Sequence, residues 1–152
     1  NTIGIAQKST DSDIALEVKA VALKALGDLN KSIPFFKAMH DKSPNAPVAY
    51  EIAEIYLNLN NLTEAKKYID LGLATVKDTQ GKTFYETQQP YAVPLKAGLY
   101  YLDALVLLNK NKDTNISAAL LILDKALAIE PEFNMVLIAK NALTAQQNQP
   151  KN

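Results

Sequence analysis

Few side chains in this chain could do chemistry, and their spacing decides against most of it. His40 is the only histidine and cysteine is absent, so a familiar zinc site cannot be assembled. His40 falls near the end of an expected helix, where the dipole favours a cation. No catalytic role is assigned to it. Glu51 with Glu54, and Asp124 with Glu130, resemble paired carboxylates. Lysines surround both pairs, so salt bridges on solvated helix faces are the expectation. No glycine-rich phosphate loop, Ser-His-Asp set or heptad run is present. Asn30-Lys31-Ser32, Asn61-Leu62-Thr63 and Asn115-Ile116-Ser117 fit the glycosylation acceptor pattern. Each opens an expected helix, and Asn is a preferred N-cap, so capping is the expected role of all three. These residues predict no catalytic group, no cofactor and no metal.

Composition narrows the partners. The chain has 152 residues, 48% of them apolar, which suffices to bury a core. Sixteen cationic side chains balance sixteen anionic ones, so no global field favours nucleic acid or anionic lipid. All the cations are Lys; without Arg there is no planar fork for carboxylate or phosphate, although nucleotide bias explains the same composition. The absence of Cys excludes disulfides and thiolate chemistry and fits any redox compartment. No run of about 18 apolar residues offers a membrane-spanning helix. The chain starts at Asn1, and Gly4-Ile5-Ala6 before Gln7 has the small-x-small form of a signal-peptidase site. An exported, periplasmic bacterial protein is the favoured expectation; an ordinary frayed terminus is the alternative.

Helical periodicity supplies the elements. Residues 1–11 lack it and are expected to be flexible. Ser12 or Asp13 opens a first helix to about Leu26, and Gly27-Asp28 turns the chain. Asn30 is the expected cap of a second helix to about His40, which places Pro34 near its first turn. Pro44-Asn45-Ala46-Pro47 breaks the chain. Ala49, Ile52, Ala53, Tyr56 and Leu59 mark a third helix. Asn61 with Glu64 then starts a fourth in capping-box fashion, to about Val76. Residues 77–93 form a polar insertion containing Phe84, Tyr85 and Tyr91. Pro94 suits the first turn of a fifth helix to about Leu108. A longer turn, Asn109 to Thr114, leads to a sixth helix capped by Asn115 and ending near Ile129. Pro131 terminates it, and a last helix lies within 132–147. Residues 148–152 are an expected disordered tail.

A repeat runs through these elements. Ala20, Leu23, Gly27, Leu29, Ser32 and Phe36 are answered about 33 residues on by Ala53, Tyr56, Asn60, Leu62, Ala65 and Ile69. Ala104, Leu107, Ala119, Leu123, Ala126 and Pro131 form a looser third copy. Such a period means stacked helical pairs. Small residues at Ala20, Ala53, Ala104, Ala65, Gly72, Ala119 and Ala126 let the helices approach closely. The stretches ALGDLNKSIPFFKAMHDKSP, AYEIAEIYLNLNNLTEAKKYIDLGLA and ISAALLILDKALAIEP resemble tetratricopeptide repeats. The likeness spans roughly Asp13 to Pro131. It departs from the family at Lys19, where a large apolar residue is usual, in the absence of Trp, and in about three extra residues at the third turn.

The resemblance implies an all-α fold, a right-handed α-α superhelix of about three hairpins plus a C-terminal capping helix. The domain is 12–147, with hairpins at about 13–44, 46–76 and 94–130. It also implies a concave face lined by first helices: Glu17, Val21 and Lys24, then Tyr50, Glu54, Leu57 and Asn58, then Tyr101, Leu105 and Leu108. Some members hold a partner's C-terminal carboxylate there with Lys and Asn. Glu17, Val21, Tyr50 and Glu54 stand at those positions, so that clamp is absent. The expected function is non-catalytic binding of a protein or peptide, with no nucleic acid. One alternative is a small-molecule binder or enzyme whose pocket is closed by residues 77–93, with Phe84, Tyr85 and Tyr91. The other is self-association through uncovered end faces.

Overall fold

The computed structural model describes residues 2–149, with side chains from residue 12 onward. Seven helices and one β-hairpin follow in order: α1 (Thr2–Ala25), α2 (Leu29–Lys42), α3 (Ala46–Asn58), α4 (Leu62–Thr75), β1 (Gly81–Phe84), β2 (Tyr91–Pro94), α5 (Leu95–Lys110), α6 (Lys112–Ile129) and α7 (Asn134–Gln147). The fold is an all-α helical repeat in which α1/α2, α3/α4 and α5/α6 are antiparallel pairs and α7 closes on α6. None of the described helices is long and apolar enough to cross a membrane.

The first two copies of the repeat turn in the same way. Gly27 has φ +83° and Asn60 has φ 59°, the left-handed region that Gly enters freely and Asn tolerates. Asp28 N–H donates to Leu23 O at 2.9 Å and Gly27 N–H to Lys24 O at 3.1 Å. Asn61 N–H donates to Tyr56 O at 2.8 Å and Asn60 N–H to Leu57 O at 3.0 Å. Both are Schellman ends, which satisfy carbonyls that the helix leaves open. Close approach accounts for the small residues: Ala20, Ala53, Ala65, Ala104, Ala119 and Ala126 are all fully buried. A β-carbon on Gly72 would stand 3.0 Å from Leu99 Cδ2 and 3.5 Å from Ala49 Cβ, so α3, α4 and α5 meet there.

Several boundaries differ from the sequence expectation. Helix α1 starts at Thr2 rather than near residue 12. Once a docked segment nucleates it, each further residue adds a hydrogen bond, and no proline intervenes. The expected tail beyond residue 149 and the side chains of Gly4-Ile5-Ala6 lie outside the described residues. Helix α2 starts after Asp28, so Asn30 lies inside it and Pro34 falls beyond its first turn. The turn between α5 and α6 is short: Asn111, not Asn115, caps α6, accepting from Asp113 N–H at 3.1 Å and Thr114 N–H at 3.2 Å. The extra residues extend the helices instead. Asn115 donates its amide to Leu107 O at 2.8 Å. Of the three expected caps, Asn61 alone holds, accepting from Glu64 N–H at 3.3 Å. Asn45 caps α3 through Val48 N–H at 3.0 Å.

The insertion is a β-hairpin, which helical periodicity could not announce. Lys82 pairs with Val93 and Phe84 with Tyr91, and Leu95 N–H donates to Gln80 O at 2.8 Å. Lys82, Phe84, Tyr91 and Val93 face inward and alternate with the exposed Thr83 and Ala92, the pattern of a half-buried ribbon. A two-stranded ribbon alone is marginal in water; this one is anchored by Phe133, fully buried and 5.0 Å from the Phe84 ring.

Candidate functional site

Helices α3 and α5 and the hairpin wall one pocket of about 340 Å³. Tyr50, Glu54, Leu57 and Asn58 come from α3, and Tyr101 and Leu105 from α5. Phe84, Tyr85 and Glu86 enter from the hairpin, and Met135 from the start of α7. Spacing of one helical turn explains the α3 set: residues 50, 54, 57 and 58 share a face. Expected concave-face residues and insertion residues thus line one pocket.

Tyr50 is 1% exposed. Its ring sits where α5 carries Gly98; a β-carbon there would stand 3.2 Å from Tyr50 Cε2. Burial, then the nearby Glu54 and Glu51 carboxylates, pushes its hydroxyl pKa far up. Tyr101 is raised for the same reasons, burial first and then Glu86 and Glu54. Tyr91 donates its hydroxyl to Glu86. Burial together with that bond pushes Tyr91 up to about 12. All three phenols are therefore protonated donors at neutral pH. Tyr85, at the rim, is 74% exposed.

An ion-pair network sits behind the pocket. Lys24 bridges Glu51 and Glu54, the latter at 2.8 Å, and Lys82 reaches Glu51 at 3.0 Å. Lys82 Nζ also lies 5.0 Å from the centre of the Tyr50 ring, a cation–π distance. Burial opposes ionisation of Glu51, but bonding and attraction from Lys24 and Lys82 outweigh it and hold its pKa below the usual range. Burial likewise opposes the Lys24 charge, and Glu51 and Glu54 outweigh it, leaving Lys24 raised. The expected salt bridging at Glu51 and Glu54 is present, though half-buried rather than solvated. Asp124 pairs with Lys140 at 2.7 Å.

The remaining concave positions lie elsewhere. Glu17, Val21 and Lys24 line a cleft of about 540 Å³ with Phe36, Met39 and Val48. Leu108 packs against the core built around Ala119, Leu123 and Phe133. Tyr91 stacks on Phe84 at 5.8 Å and faces Phe133. His40 lies in the last turn of α2, as expected, and is buried edge-on to Tyr68 at 5.7 Å. Lys19, where the family has a large apolar residue, is exposed and extends over Phe35, 5.8 Å from its centre. Sequence reasoning passed over Glu86, Leu102, Met135 and Lys82. Only the strand alternation around Phe84 and Tyr91 carried a signal for any of them. Among the described residues no cluster of His, Asp and Glu could hold a metal.

Residues 46–74 match the sequence pattern of the family described as "Tetratricopeptide repeat". The chain carries a tetratricopeptide repeat. The match begins with α3 and ends within α4, the hairpin whose Schellman turn and Asn61 cap are described above. The solved structure "MamA RS-1 ArsTM double mutant" has a similar fold, with a TM-score of 0.67 and 17% identity. The likeness covers 95% of this chain and 70% of that one. None of the curated proteins matches the chain in sequence. At that identity the likeness shows a shared fold.

Proposed function

We propose that the chain binds an extended segment of a partner protein on its concave face, between α3, α5 and the hairpin. The observation that carries this reading is the convergence of Leu57, Leu105, Tyr101 and Tyr85 with a few polar groups in one pocket. Apolar and aromatic walls with a small number of placed polar groups are what recognition sites use. Balanced charge argues for protein over nucleic acid. An exported setting rests on Gly4-Ile5-Ala6 alone.

The test is selection of a random dodecapeptide phage library on the purified protein, followed by affinity measurements on synthetic peptides. Tyr85→Ala, at an exposed rim, should weaken the selected peptides by about tenfold without loss of folding. Lys67→Ala, on α4, is the control. Lys66 is unsuitable because it bridges Asp103 at 2.9 Å and Asp70 at 3.0 Å. Equal affinity in wild type and Tyr85→Ala would sink the reading.

A second reading, self-association, has one observation of its own. Ile14, Val18 and Val21 on α1 are each more than half exposed and follow one another at helical spacing. Sedimentation equilibrium decides it: a monomer at all concentrations removes it, and a dimer lost in Val18→Lys supports it.

A further inference from the structure

We propose that the concave pocket takes a cationic side chain, lysine or arginine, from the bound segment. This rests on the concave-face reading above and adds the chemistry of the occupant. The described pocket lining carries two carboxylates, Glu54 and Glu86, and no cationic residue. Glu54 shares Lys24 with Glu51, while Lys82 serves Glu51 alone. Glu86 has no ammonium partner among the described residues; it accepts from the Tyr91 hydroxyl and, at 3.4 Å, from the Asn134 amide. Three carboxylates thus face two ammonium groups, and the unmatched negative charge lies on the pocket side.

A second, independent observation points the same way. The Tyr50 side chain is almost wholly buried, yet among the described residues its hydroxyl takes part in no hydrogen bond, and it lines the pocket. The hydroxyl is the part of this side chain left open to the pocket, where a ligand N–H can donate to its lone pair. The rings suit a cation as well. Lys82 already sits 5.0 Å from the centre of the Tyr50 ring while bonded to Glu51. That arrangement, one ammonium between a carboxylate and a phenol ring, is offered again on the pocket side by Glu54 or Glu86 with Tyr101. An aliphatic stem would lie along Leu57, Leu102 and Leu105 with its charged head at the carboxylates, as long basic side chains do. A phosphate or C-terminal carboxylate would meet like charge and no donor cation.

The experiment uses the selected phage peptides. Lys or Arg should be enriched at one position, and replacing that residue by citrulline or norleucine should weaken binding by about tenfold. Glu86→Gln should weaken the basic peptide by a similar factor and leave the norleucine peptide unchanged. Raising salt should weaken the basic peptide more steeply than the neutral one. Peptides that depend on Tyr85 but carry no basic residue overturn this inference and leave the concave-face reading standing. Neutral replacement without effect does the same. Peptides indifferent to Tyr85→Ala, or no selected peptide at all, overturn both.

Discussion

Gly98 on α5 leaves the space that the Tyr50 ring of α3 fills, with 3.2 Å between Tyr50 Cε2 and the place of a β-carbon. The contact fixes the floor of the pocket from behind. Replacing a helical Gly by Ala gains about 1 kcal/mol in propensity, while overpacking costs about 1–3 kcal/mol. In Gly98→Ala these terms nearly cancel, because a shift of the ring by a few tenths of an ångström relieves the crowding. Stability should stay within about 1 kcal/mol of wild type, while the near-ultraviolet tyrosine dichroism and the peptide affinity both change. Unaltered dichroism and affinity would show that the ring is not held by this contact.

Gly72 and Ala53 give the opposite balance. A β-carbon at Gly72 meets both Leu99 methyls, at 3.0 and 3.2 Å, and Leu99 is fully buried with nowhere to retreat. Gly72→Ala should therefore lose stability, by up to about 2 kcal/mol after the propensity gain. Ala53 is fully buried in α3, so Ala53→Leu should cost about 1–3 kcal/mol. Urea unfolding curves measure both. A midpoint equal to wild type for either would mean that the helices are not in close contact there.

The Glu51 network makes stability depend on pH in a defined direction. The Glu51 pKa is lowered in the fold, against the pull of its burial, by Lys24 and Lys82. The stabilisation it contributes is therefore complete above the carboxyl's unfolded pKa, about 4.3, and is lost as pH falls through the lowered folded value. Glu51→Gln removes that component. Melting temperatures followed from pH 7 downward should converge for the two proteins at the acid end. A constant gap between them across the range would contradict the linkage.

Phe133 joins the hairpin to the helical stack. It is fully buried and lies 5.0 Å from Phe84 and 5.7 Å from Tyr101, ring to ring. Phe133→Ala should cost about 3–5 kcal/mol and release the hairpin first. Hydrogen exchange should show faster exchange at residues 82–84 and 91–93, with α3 and α4 still protected under native conditions. Retained protection in the strands would place their anchor elsewhere.

One consequence concerns the site residues themselves. Tyr50 and Leu57, two of the expected concave-face residues, are both buried, Tyr50 almost completely. Truncating Tyr50 to alanine would report mainly on stability, at a cost of about 3–5 kcal/mol for so large a side chain. Tyr85 and Glu86, which are exposed, are the positions at which binding is read without unfolding.

What the sequence determined by itself is local or periodic. The small residues at Ala20, Ala53 and Ala65, the turn at Gly27 and Asn60, and the Asn61 cap follow from sterics within a few residues, so their meaning survives without coordinates. The helical repeat follows from them because a hairpin with two apolar faces must stack. Tertiary structure decided the rest. Gly81–Phe84 and Tyr91–Pro94 pair as strands because Phe133, more than forty positions on, gives Phe84 and Tyr91 a surface to bury against, and no local pattern encodes that partner. Helix α1 extends to Thr2 by propagation from a docked segment. Asn111 displaced Asn115 as a cap because the length of α5 is set by its packing on α6. Lys24, Glu51 and Lys82 form one network only when α1, α3 and β1 are brought together. The pocket likewise exists only where the hairpin meets α3 and α5, since burial and charge pairing depend on neighbours distant along the chain.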